Sequence, residues 1–119
     1  MMSYDKYNEK VEIIANSIKK NKVLITTNRK GHNYWDLKFK KNQTRINTNN
    51  LNIVLEIGDD FIDCESAVTI GKVNRTTISK KRIVPSLPEG DNFTVGGCLA
   101  GLGLGSSSYS YGFFSDNVI

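Results

Sequence analysis

Histidine is the side chain best suited to move protons near neutral pH, and this chain has one, His32, in the turn-like stretch Asn28-Arg29-Lys30-Gly31-His32-Asn33. A histidine there reads as an exposed turn residue rather than a catalytic base. Ser106, Ser107 and Ser108 lack the glycine spacing of a nucleophile elbow, so serine hydrolysis is not expected. Asp59, Asp60, Asp63 and Glu65 are close in sequence, but their spacing fits no calcium loop and suits an acidic hairpin. Two cysteines and one histidine do not close a tetrahedral zinc site without a carboxylate, and no metal is expected. Cys64 and Cys98 each fall on the apolar side of a candidate strand, where a free thiol behaves as a small hydrophobe.

The run Gly101-Leu102-Gly103-Leu104-Gly105-Ser106 approaches the glycine spacing of a dinucleotide-binding turn, but Ser106 stands where the last glycine belongs and no helical pattern follows. No lysine follows the glycines as a phosphate loop requires. What remains is the less specific capacity of a glycine-rich backbone to offer N–H groups to an anion. No cofactor is expected on this reading. Basic residues interleaved with aromatics give the better signal: Arg29, Lys30, Tyr34, Trp35, Lys38, Phe39, Lys40 and Lys41 combine phosphate-binding charge with rings able to stack on bases. Trp35 and Phe39 share a strand face with Leu37 and read as core, which leaves the lysines to bind.

The net charge of +4 is distributed in blocks. From Ser17 to Asn50 nine basic residues are opposed only by Asp36, Leu51 to Ile70 is purely acidic, and Lys72, Arg75, Lys80, Lys81 and Arg82 reverse the sign again. Such blocks either attract a polyanion or neutralise one another once the strands pair. The expected ligand-binding set is Arg29, Lys30, Lys38, Lys40, Lys80, Lys81 and Arg82. The 119 residues suit one domain spanning the chain. The opening residues have no apolar core of a secretory signal and no run is long enough to span a bilayer, so a cytoplasmic location without membrane contact is expected.

The elements that position these residues follow from periodicity. Tyr4, Tyr7, Val11, Ile14, Ala15 and Ile18 recur on one helical face, with Ser3 as N-cap, which predicts a helix over residues 3 to 20. Val23–Thr27 and Tyr34–Lys40 read as strands, Asn42–Asn50 as a loop, and Leu51–Ile57 as a strong strand returning through Ile62, Cys64, Val68 and Ile70. Val73–Val84, rich in Thr, Ile and Val, reads as a third strand of a meander ended by Pro85 and Pro88. Gly97–Phe113 reads as a two-faced hairpin in which Tyr109, Tyr111 and Phe113 cover a bare row of glycines. The fold class is then α+β: one N-terminal helix on a curved antiparallel sheet of about seven short strands, with a half-closed barrel as the alternative.

With no acid, base and nucleophile set to assemble, the residues point to a small non-enzymatic binding or inhibitor protein. It would hold an acidic partner such as a nucleic acid, a nucleotide or an acidic protein surface. A composition rich in Asn, Lys and Ile suits a viral or mobile-element accessory of the counter-defence type. The second reading is a structural protein, a homo-oligomer joined through Gly101, Gly103, Gly105, Tyr109 and Tyr111, since a strand with a bare face invites a second copy to cover it. An enzyme of unrecognised type ranks last.

Overall fold

The computed structural model describes residues 4–21, 24–26 and 44–119. The expected helix is present as α1, Tyr4–Lys20, with Asp5 in its first turn and Lys19 and Lys20 in its last, each complementing the helix dipole. None of its residues is fully buried. Polar side chains tie it down instead. The Tyr4 hydroxyl donates to Asp63 Oδ2 at 2.8 Å, and Lys10 Nζ donates to both Glu65 carboxylate oxygens at 2.8 and 3.0 Å and to the Asn50 carbonyl at 2.7 Å.

Two small sheets follow. Strand β1, Leu24–Thr26, pairs in parallel with β2, Thr44–Ile46, which lies inside the stretch read as a loop. Strand β3, Val54–Ile57, pairs antiparallel with β4, Ile62–Cys64, through the acidic turn the sequence indicated, with a register shift at Leu55. Asp59 and Asp60 sit exposed at its tip. The expected strand Tyr34–Lys40 and the turn carrying His32 lie outside the described residues.

After β4 the expected meander is not formed. Val73–Val84 is not a strand: α2 runs from Ile70 to Ser79, started by Thr69, whose hydroxyl accepts the Lys72 N–H at 3.1 Å. Its buried residues Ile70, Val73 and Thr77 are spaced for one helical face, and that period overrides the β-branched composition that suggested a strand. Gly97–Phe113 is not a hairpin either. It contains most of α3, Val95–Ala100, then an irregular turn, then α4, Ser108–Tyr111, before a 3-10 turn at Phe114–Asn117. The class is α+β, with no closed barrel among the described residues.

A tight turn, residues 65–68, closed by the Val68 N–H on Glu65 O at 3.0 Å, joins the halves. Glu65 N–H donates to Ile53 O at 2.9 Å and Ala67 N–H to Leu51 O at 2.7 Å on one side. On the other, Ser66 O accepts the Gly96 N–H at 2.8 Å and Val68 O accepts the Val95 N–H at 2.9 Å. The main core, Ile70, Cys98 and Phe114 with Leu87, Phe93 and Val95 against it, lies under α3 and fixes where the glycine-rich turn emerges. No helix among the described residues is long and apolar enough to cross a membrane.

Candidate functional site

The residues expected to bind an acidic partner are not gathered into one site among the described residues. Lys80, Lys81 and Arg82 form the exposed turn that ends α2, where the Lys80 and Arg82 N–H groups donate to Thr77 O, the Lys81 N–H donates to Ile78 O, and Lys81 takes a positive φ of 58°. Cations there complement the helix C-terminus and read as a solvated end. Arg29, Lys30, Lys38 and Lys40 are outside the described residues. Tyr109 and Tyr111 stand in solvent on α4 and cover no glycine row. A shallow cleft of about 320 Å³ bordered by Asn49, Asn52, Thr69 and Lys72 has its lysine engaged, Nζ donating to Asn52 O at 2.7 Å.

One stretch with unengaged backbone N–H groups is the turn between α3 and α4. Thr94 caps α3: its hydroxyl accepts the Gly97 N–H at 3.2 Å and its carbonyl the Cys98 N–H at 2.9 Å. Gly96 is required because a Cβ there would lie 3.0 Å from Ser66 Cβ and 3.1 Å from Ser66 O. At the other end Gly101 closes α3 with its N–H on Gly97 O, at φ −108° and ψ 19°. The chain then reverses hand through Leu102 at φ 67° and Gly103 at φ 57°. A right-handed residue followed by a left-handed one turns successive N–H groups toward a common side, the geometry of an anion-binding concavity.

Gly103 is buried against the core, and a Cβ on it would lie 2.5 Å from Phe114 Cβ. Its carbonyl accepts the Phe114 N–H at 3.2 Å. Farther on, the Gly105 N–H donates to Ser108 Oγ at 3.0 Å, and that hydroxyl shares a 3.1 Å hydrogen bond with the fully buried Ser86. The turn is thus pinned at both ends. Between them, from Leu102 to Ser107, only the N–H of Gly105 finds an acceptor among the described residues. Leu102, Leu104 and Ser106 are exposed, Ser107 is half-buried and Gly103 is buried, so the donors at the surface are those flanking Gly103.

Asn92 to Ser115 contains no charged side chain, so what this stretch itself offers an anion is backbone dipoles. Burial pushes the Cys98 thiol up, keeping it neutral and unreactive under the turn. Sequence reasoning found this backbone capacity and set it below the basic side chains. The missed signal was the pair of Thr residues, Thr69 and Thr94, each heading a short helix.

Residues 6–119 match the family described as FAD binding domain. The chain is 37% identical over 78 residues to a Delta(24)-sterol reductase homolog of Caenorhabditis elegans, covering 64% of this chain and 15% of that protein. The human Delta(24)-sterol reductase is also 37% identical over 78 residues, covering 65% and 15%, and that of Pisum sativum is 38% identical over 55 residues, covering 46% and 10%. The chain therefore spans about 15% of the length of the first two relatives. No solved structure matches.

These matches overturn the functional expectations drawn from the residues. A family of FAD-binding domains and relatives that are reductases replace the non-enzymatic inhibitor, the viral or mobile-element accessory and the acidic macromolecular partner. The expectation of no enzyme was inferred from side chains alone, and main-chain donors, which composition does not display, did not enter it.

Proposed function

Because this chain belongs to the family of FAD-binding domains, we propose that it forms the cofactor-holding part of an FAD-dependent oxidoreductase, with the turn from Gly101 to Ser107 receiving the FAD pyrophosphate. The observation that carries the assignment is the set of N–H groups at Leu102, Leu104, Ser106 and Ser107 that find no acceptor among the described residues, flanking the buried Gly103. A pyrophosphate fits such a row because it presents several acceptor oxygens in a short span, and backbone donors approach it closely only where side chains are small. Gly101, exposed at the end of α3, meets that requirement, while Gly103 and Gly105 let the turn pack on Phe114 and on Leu87 O. FAD, when bound, supplies a carrier for an electron pair passing between a reductant and a substrate.

The chain's own residues do the holding. Thr94 and Ser108 fix the two ends of the turn, Phe114 sets its depth through Gly103, and Ser86 orients Ser108. The exposed Leu99, Leu102 and Leu104 beside the donors offer an apolar border that excludes water from part of the bound cofactor. The names of the relatives support a reductase acting on a sterol as the whole protein's activity.

The test is a titration of the 119-residue chain with FAD, followed by flavin fluorescence, with ADP, FMN and riboflavin as competitors. FAD and ADP, which share the pyrophosphate, are expected to compete, and riboflavin is not. Because the turn itself carries no charged side chain, affinity is expected to change by less than about threefold between low and moderate salt. Riboflavin displacing FAD as well as ADP does would overturn the pyrophosphate assignment, and an absence of FAD binding would overturn the reading itself.

A further inference from the structure

Glu65 is a carboxylate with no exposed side-chain surface, and every partner it has lies on a different part of the chain. Its oxygens accept two hydrogen bonds from Lys10 Nζ of α1, and Oε2 also accepts the Ile53 N–H at 2.8 Å. The Glu65 N–H in turn donates to Ile53 O. One residue therefore grips both polar groups of Ile53, its side chain supplying the acceptor that a neighbouring strand would have supplied. The next residue, Ser66, presents its carbonyl to Gly96 at the start of α3, where the lack of a Cβ lets the two backbones meet.

We propose that Glu65, held by Lys10, is a positioning residue for the glycine turn. It fixes the Glu65–Val68 segment against Leu51–Ile53, and through Ser66 O and Val68 O that segment sets the height of α3 and the turn it leads into. Lys10 neutralises the buried charge, so α1 reaches the Glu65–Val68 segment through this amine. The inference rests on the FAD reading for its functional consequence but not for its geometry. A tether that merely kept α1 attached would work as well through Tyr4, which contacts Asp63 and Glu56 and has no link to Ser66.

That difference supplies the experiment. Lys10→Met, Lys10→Arg, Glu65→Gln and Tyr4→Phe are compared by amide hydrogen exchange at Gly96 and Cys98 without cofactor, and by FAD titration. Lys10→Met and Glu65→Gln are expected to speed exchange at Gly96 and to raise the FAD Kd on the order of tenfold. Lys10→Arg should restore both, and Tyr4→Phe should leave both unchanged. Lys10→Met folded with Gly96 exchange as in the parent, or Tyr4→Phe shifting Gly96 equally, overturns the positioning role. If Glu65→Gln does not fold, the two Lys10 variants decide the matter alone. If the parent chain does not bind FAD, the FAD reading fails while the exchange data still judge the positioning role.

Discussion

Glu65 and the turn from Leu102 to Ser107 lie on either side of Ser66 and Gly96, and they treat polar groups in opposite ways. At Glu65 a full charge is buried, and it is answered by an amine at 2.8 Å and a backbone N–H at 2.8 Å. At the turn there is no charge at all, yet a run of N–H groups lacks acceptors among the described residues. A carboxylate taken out of water is costly unless it is fully paired, so the first arrangement has no capacity left for a ligand. Backbone amides at an exposed glycine turn are hydrated cheaply and released cheaply. Unengaged donors therefore lie where the side chains look least reactive, and the buried charge of Glu65 is taken up by internal partners.

The sharpest way to break this contrast is to fill the turn. Gly103→Val puts a branched side chain at φ 57°, where its Cβ would lie 2.5 Å from Phe114 Cβ. Left-handed strain and overpacking together are expected to cost about 3 kcal/mol or more, read as a shift in the urea midpoint, and FAD binding should be lost. A variant that keeps both the midpoint and the affinity would mean that the turn is neither buried at Gly103 nor the cofactor site.

The next effect is on the charged side of the comparison. Lys10→Met leaves Glu65 buried without its cation, and a destabilisation of about 2–3 kcal/mol is expected. The figure sits at or below the low end for buried pairs because the Lys10 side chain is 21% exposed. Glu65→Gln in the Lys10→Met background should recover part of that loss, since the uncompensated charge is then gone. No recovery would show that the pair contributes through packing and not through charge. A smaller effect tests whether basic side chains take part in binding at all. Replacing Lys80, Lys81 and Arg82 together by Ala should change the FAD Kd by less than about twofold, as expected of exposed charges. A larger weakening would bring that turn into the site.

How much of this was legible in the sequence follows the same division. Helix α1 was readable because Tyr4, Tyr7, Val11, Ile14 and Ile18 keep one period and the terminal charges suit the dipole. The Leu51–Cys64 hairpin was readable from alternation around Gly58-Asp59-Asp60. Helix α2 was not, because Thr76, Thr77 and Ile78 favour strands locally, and only the burial of Ile70, Val73 and Thr77 at helical spacing decides for a helix. The glycine turn was misread because alternation of Gly and Leu mimics a strand, while Thr94 capping and the reversal at Leu102 and Gly103 depend on main-chain torsions. The Lys10–Glu65 pair joins residues far apart in the chain, and no local pattern announces it.

The smallest expected effect is alkaline, and it separates the two regions once more. The Tyr4 hydroxyl is pushed up to about 12, chiefly by its hydrogen bond to Asp63, with partial burial and the charges of Asp63 and Glu56 adding to it. The Cys64 thiol is pushed up to about 11, chiefly by burial and then by the charge of Asp63. Each folded-state value lies above the ordinary one, 10.0 for Tyr4 and 9.0 for Cys64, so the folded state holds these protons more tightly than the unfolded chain. Their stabilising contribution is therefore complete below the ordinary value and is lost as pH rises through the folded one. The Tm should stay level to about pH 9 and then decline by a few degrees toward pH 12. Cys64→Ala should remove the part of the decline that begins near pH 9, and Tyr4→Phe the part that begins near pH 10. Neither group touches the glycine turn, so FAD affinity should remain level between pH 7 and pH 9. An affinity that falls within that range would show that a titrating side chain takes part in holding the cofactor, and the contrast between a charged frame and a neutral site would no longer stand.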